Sequence, residues 1–179
     1  MIVNSSERID AFDPATGKLL WHAGSERQTP IPSAVFHDGS IYLSRGYRNS
    51  DVLAIRSGGR TQWRMPNGAS YVPSILLYDG LLYMTNEVGV VSCADAATGQ
   101  KVWQKRLGGI FFASPVGADG KVYLVSETGE TFVLRAGREP EVIATNDLGE
   151  RFLASPAIAG GRIYLRSDGT LFTIGRSSE

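Results

Sequence analysis

Strand-like segments repeating about every 40 residues, with no helical stretch between them, predict an all-β chain. The class is a β-propeller of four-stranded antiparallel blades. Three observations predict it. First, Ser33, Ser74, Ser114 and Ser155 recur in step with Gly39, Gly80, Gly120 and Gly161 and with Tyr42, Tyr83, Tyr123 and Tyr164; each series advances by 41, 40 and 41 residues. Second, Trp21, Trp63 and Trp103 advance by 42 and 40, and Ile143 stands where the next Trp would fall. Third, runs such as KVYLV and LLYM are nearly continuous in apolar residues. Such runs suit a sheet covered on both faces, as a blade is by its two neighbours.

The cleanest copy of the repeat is residues 71–109, YVPSILLYDGLLYMTNEVGVVSCADAATGQKVWQKRLGG. Residues 1–25 form a partial blade, with a turn DPATGK in which Asp13 accepts backbone N–H bonds and Gly17 supplies a positive φ. Residues 26–66 form the next blade, with strands SAVF, SIYLS, DVLAI and TQWRM; Asp38-Gly39 between the first two is a hairpin signal. Its turn RSGGR is one residue shorter than DAATGQ. Residues 67–107 and 108–147 are the third and fourth blades, the latter without the Asp-x-x-Thr-Gly pattern or the Trp. Residues 148–179 are a blade lacking its outer strand. Aligning Asp13 with Asp95 sets Met1 on Tyr83, inside a strand. The expectation is therefore about four blades of a larger ring, seven- or eight-bladed, with the N-terminal half outside this chain. That half is then a partner in its own right.

The totals exclude several classes. Eighteen Lys plus Arg balance eighteen Asp plus Glu, which argues against a general nucleic-acid surface. No apolar run approaches the roughly 20 residues of a membrane-spanning helix. Cys93, on a predicted strand, reads as a small buried hydrophobe, and with no second cysteine there is no intrachain disulfide.

The segments IDAFDPATGKLLW and VSCADAATGQKVW resemble the Ala-x-Asp-x-x-Thr-Gly-x-x-x-Trp repeat of the pyrroloquinoline-quinone-like (PQQ-like) β-propellers. Ala11, Asp13, Thr16, Gly17 and Trp21 match every fixed position. Asp95, Thr98, Gly99 and Trp103 match in the second copy, with Cys93 for the Ala; Ala54, Gly59 and Trp63 match in a third, with Arg56 for the Asp. The resemblance implies a tryptophan docking motif, in which each indole reaches the neighbouring blade, and a secreted or periplasmic bacterial protein. Some members are quinoprotein dehydrogenases, which hold a quinone with a calcium ion, a stacking Trp and, in many cases, adjacent cysteines. None of those residues can be matched here, so no cofactor is expected.

The chemistry-bearing residues point away from catalysis. His22 and His37 have no partner at ligand spacing, and no metal site is expected. The four serines occupy equivalent positions, whereas a hydrolase nucleophile is unique and has its own base. They read instead as a repeated hydrogen bond. No catalytic residue is assigned. Non-repeated residues gather in loops expected on one face: Arg45, Tyr47, Arg48, Asn49, Glu87, Glu127 and Asp168. Tyr71, Phe111, Phe112 and Phe152 precede the first strands, suited either to a binding surface or to packing beneath the loops. The function read from this pattern is a non-enzymatic protein- or peptide-binding scaffold. The alternative is a fragment of a quinoprotein-type oxidoreductase whose cofactor ligands lie in the missing half. A third class, a sugar- or polymer-degrading enzyme, would need Glu87 and Glu127 as a carboxylate pair.

Overall fold

A computed structural model describes residues 1–24, 30–45, 51–68 and 70–175. Among them, strands form five separate antiparallel sheets, each built from consecutive strands. The first holds β1 (Ile2–Asn4), β2 (Ile9–Phe12) and β3 (Leu19–Ala23). The second holds β4 (Val35–His37), β5 (Ser40–Arg45), β6 (Asp51–Arg56) and β7 (Thr61–Met65). The third holds β8 (Leu76–Tyr78), β9 (Leu81–Thr85), β10 (Val90–Asp95) and β11 (Lys101–Arg106). The fourth holds β12 (Val116–Ala118), β13 (Lys121–Val125), β14 (Glu130–Arg135) and β15 (Val142–Asp147). The fifth holds β16 (Ala157–Ala159), β17 (Arg162–Arg166) and β18 (Leu171–Gly175). This is a partial β-propeller.

Turn chemistry fixes the first hairpin of each complete blade. Asp38-Gly39, Asp79-Gly80 and Asp119-Gly120 all have positive φ at both residues, 45° and 71°, 49° and 72°, 49° and 66°. That is the type I′ geometry whose twist matches the flanking strands. The innermost strands are shorter than the sequence suggests, three residues each. The reason lies in the serines. The Ser33 N–H donates to Ser74 Oγ (3.0 Å), Ser74 N–H to Ser114 Oγ (3.0 Å) and Ser114 N–H to Ser155 Oγ (2.9 Å). Each of these backbone donors is committed to the neighbouring blade and cannot extend its own ladder. The adjacent Pro32, Pro73, Pro115 and Pro156 offer no donor at all.

Strand register corrects two alignments. Trp21 lies opposite Ala11, Trp63 opposite Ala54 and Trp103 opposite Cys93. In the fourth blade the matching pair is Val133 with Ala144, so Ala144, not Ile143, takes the tryptophan's place. The turn accounts for the offset. Asp95 N–H reaches Gln100 O, but Arg135 N–H reaches Glu141 O, one residue further on. Likewise Ile2, not Met1, is the counterpart of Tyr83: it pairs with Ala11 as Tyr83 pairs with Cys93. Asn4 pairs with Ile9, whereas Thr85 pairs with Val91, so the first loop is one residue shorter.

The core lies between sheets. Ile9, Ala23, Ile41, Leu43 and Ile55 join the first two; Tyr42, Ala54, Met65, Leu82 and Met84 join the second and third. Tyr83, Trp103, Val122, Leu124 and Leu134 join the third and fourth; Val125, Phe152 and Leu165 join the fourth and fifth. Polar contacts pin the apolar ones. Trp63 Nε1 donates to Ala96 O (3.0 Å) and Trp103 Nε1 to Gly137 O (3.1 Å), each reaching the next blade. The Tyr83 hydroxyl accepts from Gly137 N (2.8 Å), so both polar backbone atoms of Gly137 are held by the third blade. Burial pushes the Tyr83 phenol up to about 12 and the Cys93 thiol up to about 12. Cys93 is fully buried, as a small hydrophobe would be. Asp13 Oδ1 accepts from Ala15 N (2.8 Å) and Asp95 Oδ1 from Ala97 N (3.1 Å), closing the turns ahead of Trp21 and Trp103.

Candidate functional site: the loop face

The four described loops joining second to third strands share one construction. A short polar side chain in the first loop position accepts a backbone N–H from further along the loop. Ser5 Oγ accepts from Arg8 N (3.3 Å), Asn86 Oδ1 from Val90 N (2.9 Å), Ser126 Oγ from Glu130 N (3.1 Å) and Ser167 Oγ from Thr170 N (2.8 Å). The next residue is Glu87, Glu127 or Asp168 in the third, fourth and fifth blades. An acid therefore sits at one loop position in three successive blades. Gly129 closes the fourth-blade loop with φ 108°, and a Cβ there would lie 2.8 Å from Glu150 O. No other residue fits without moving that backbone.

Arg151 joins two of the acids. Its Nη2 lies 2.6 Å from Glu127 Oε1 and its Nη1 3.5 Å from Asp168 Oδ2. The backbone adds Phe152 N–H to Glu127 O (3.1 Å) and Asp168 N–H to Arg151 O (3.1 Å). Beside this triad, Glu150 accepts from Ser167 Oγ and from Thr170 Oγ1 (3.0 Å). The loops of the fourth and fifth blades thus form one fixed polar surface. Glu87 is exposed, beside the exposed Val88, whose carbonyl accepts from Arg106 Nη1 (3.0 Å). The sequence expectation named Glu127 and Asp168 for this face but not Arg151. Arg151 belongs to no repeated series; its one signal was a cation between two blades with acids at matched loop positions.

Other candidates fall elsewhere. Arg45 is only 4% exposed, and its Nη2 donates to Ser5 O (3.2 Å), tying the second blade to the first rather than facing solvent. Tyr47, Arg48 and Asn49 lie outside the described residues. Phe111 and Phe152 are fully buried, Phe111 edge-on to Phe132 and Phe152 tilted against Phe172. These two pack beneath the loops; Tyr71 and Phe112 are half-buried. His22 is on β3 and His37 ends β4. Among the described residues, no three His, Cys, Asp or Glu side chains gather as a metal site, and no helix is long and apolar enough to cross a membrane.

Separate four-stranded leaves, indoles opposite the third strand and a seryl seam define a PQQ-like β-propeller. Residues 48–138, half of the chain, match the family described as outer membrane protein assembly factor BamB, and the chain belongs to that family. The crystal structure of BamB from Moraxella catarrhalis superposes over 94% of this chain with a TM-score of 0.74 and 16% identity. The chain spans about half of that structure, 52%. A europium-containing methanol dehydrogenase superposes over 73% of this chain and 27% of its own, with a TM-score of 0.55 and 13% identity. At such identities the two likenesses describe the fold. No curated protein matches the chain.

Proposed function

We propose that the chain is part of a non-enzymatic scaffold that binds extended segments of other proteins, in the periplasm or outside the cell. The observation that carries this is the division of labour in the repeat. Residues that recur, the serines, tyrosines and tryptophans, are spent on joining blades. The loop face carries Glu87, Glu127 and Asp168, aligned at one loop position of three successive blades. The indoles act in this reading as a tryptophan docking motif. The family's name, an assembly factor for outer membrane proteins, supports unfolded or extended protein as the ligand. Tyr47, Arg48 and Asn49 belong to the proposed binding set, whereas the buried Arg45 does not. An acidic stripe broken by Arg106 and Arg151 suits a peptide carrying cations between its apolar residues.

The test is fluorescence anisotropy with labelled strand peptides from an outer-membrane β-barrel precursor. The triple variant Glu87→Lys, Glu127→Lys, Asp168→Lys should bind at least about tenfold more weakly, with most of the difference at low salt. Equal binding by both proteins, or none by either, would refute the scaffold reading. A cofactor absorbance band on adding quinone and calcium would move the conclusion to an oxidoreductase.

A further inference from the structure

The stretch leaving the second blade holds an asparagine unlike the others in the chain. β7 ends at Met65, and Pro66, Asn67 and Gly68 follow. Proline followed by a residue with positive φ suits the centre of a type II turn, and Asn67 has φ 56°. Asn67 is exposed. Of the five asparagines, only Asn67 precedes a glycine; Asn4 and Asn49 precede serines, Asn86 a glutamate and Asn146 an aspartate. The described others are also held in place. Asn4 Nδ2 donates to Ser44 O (3.2 Å), Asn86 Oδ1 accepts from Val88 N (3.2 Å) and Val90 N (2.9 Å), and Asn146 lies in the ladder opposite Thr131. Among the described residues, no hydrogen bond fixes the Asn67 carboxamide.

We propose that Asn67 is a site of spontaneous deamidation, with water as the co-reactant. Gly68 N gives up its proton to base and attacks Asn67 Cγ, forming a five-membered imide. The Cγ–Nδ2 bond breaks, and the nitrogen takes up a proton and leaves as ammonia. Water then opens the ring. Cleavage of the bond from Gly68 N to Cγ gives aspartate. Cleavage of the bond to the backbone carbonyl gives isoaspartate, in which the main chain runs through Cβ and Cγ. No electron is transferred; one water enters and one ammonia departs. A side chain on the following residue obstructs the approach of its nitrogen to Cγ, and glycine has none. A turn beyond the end of a strand can make that approach without breaking a ladder bond.

The position of the turn gives the reaction a structural consequence. A Cβ on Gly68 would collide with Met65 Cε, so Met65, a core residue between the second and third sheets, closes over that glycine. Ser70, 1% exposed, then bonds to both blades: its carbonyl accepts from Ser44 Oγ (2.5 Å) and its Oγ donates to Thr85 O. Isoaspartate lengthens the main chain by one carbon three residues ahead of that clamp and adds a negative charge beside it. The product therefore loosens the joint between the two blades. The site does not rest on the scaffold reading.

The whole chain is aged at mildly alkaline pH and body temperature beside a synthetic peptide of residues 61–72. Peptide mapping by mass spectrometry should find a gain of one mass unit at Asn67 before any other asparagine, and an isoaspartyl methyltransferase should label the same peptide. Conversion in the folded chain should lag the free peptide by about tenfold or less, because an exposed turn opens locally at little cost. The converted chain should melt about 2–4 °C lower. Asn67→Gly keeps the positive φ and removes the carboxamide; it should take no label there and hold its melting temperature over the same period. An unchanged mass at Asn67 when the peptide has fully converted would overturn the proposal. So would earlier conversion at Asn86 or Asn146, or an equal loss of melting temperature in Asn67→Gly.

Discussion

Replacing Trp103 by alanine should be among the most damaging single changes on the blade joints. Its side chain is 8% exposed, its ring centroid lies 6.0 Å from that of Tyr83, and its Nε1 holds Gly137 O in the next blade. Loss of a buried Trp side chain costs about 3–5 kcal/mol. The carbonyl left behind by the indole donor adds about 1 kcal/mol. Against a total stability of about 5–15 kcal/mol for a domain, this consumes a large share. With a urea slope of about 2–3 kcal/mol/M, the unfolding midpoint by circular dichroism should fall by about 1.3–3 M. Trp103→Phe keeps a ring against Tyr83 and should lose less than half as much. A loss for Trp103→Ala below about 1 kcal/mol would refute the packing argument. So would an equal loss for the half-buried Trp21, whose ring rests on Gly59.

Four further outcomes are expected. Ser114→Ala removes the acceptor for Ser74 N–H and should cost about 1 kcal/mol, read from the same denaturant midpoint. Gly129→Ala places a Cβ against Glu150 O at positive φ and should destabilise by more than about 1 kcal/mol; an unchanged midpoint would contradict the loop geometry. Because burial raises Cys93 and Tyr83 from 9.0 and 10.0 to about 12, the unfolded chain releases their protons first on alkalinisation. Stability is then fully present below about pH 9 and falls as pH rises toward 12; a midpoint constant from pH 8 to 11 would exclude this. At the acid end, the pair with Arg138 and the Thr98 hydroxyl hold the Asp95 carboxyl below its ordinary range. Its stabilisation should be lost as pH falls through the acid range, and Asp95→Asn should flatten that part of the profile.

The fold was legible because its determinants are covalent neighbours repeated at fixed distance: a turn glycine, a hairpin aspartate, a tyrosine, an indole. The off-by-one assignments at Ile143 and Met1 have a shared cause. Counting from a series assumes constant turns, while the Arg135 turn holds one extra residue and the Ser5 loop one fewer. The loop face was legible only in part. Glu87, Glu127 and Asp168 stand out as an acid recurring at one loop position. The burial of Arg45 depends on Ser5 in another blade, and the pairing of Arg151 depends on two acids that are 24 and 17 residues away. Contacts of that kind follow from the stacking of leaves, which a linear pattern does not encode.

The serine contacts run one way: every amide gives to the hydroxyl of the leaf that follows. The third and fourth blades therefore each carry a donor on one flank and an acceptor on the other, and this one contact repeats while the indole contacts beside it do not. Individuality must then be written on the rims, where neighbours place no demand.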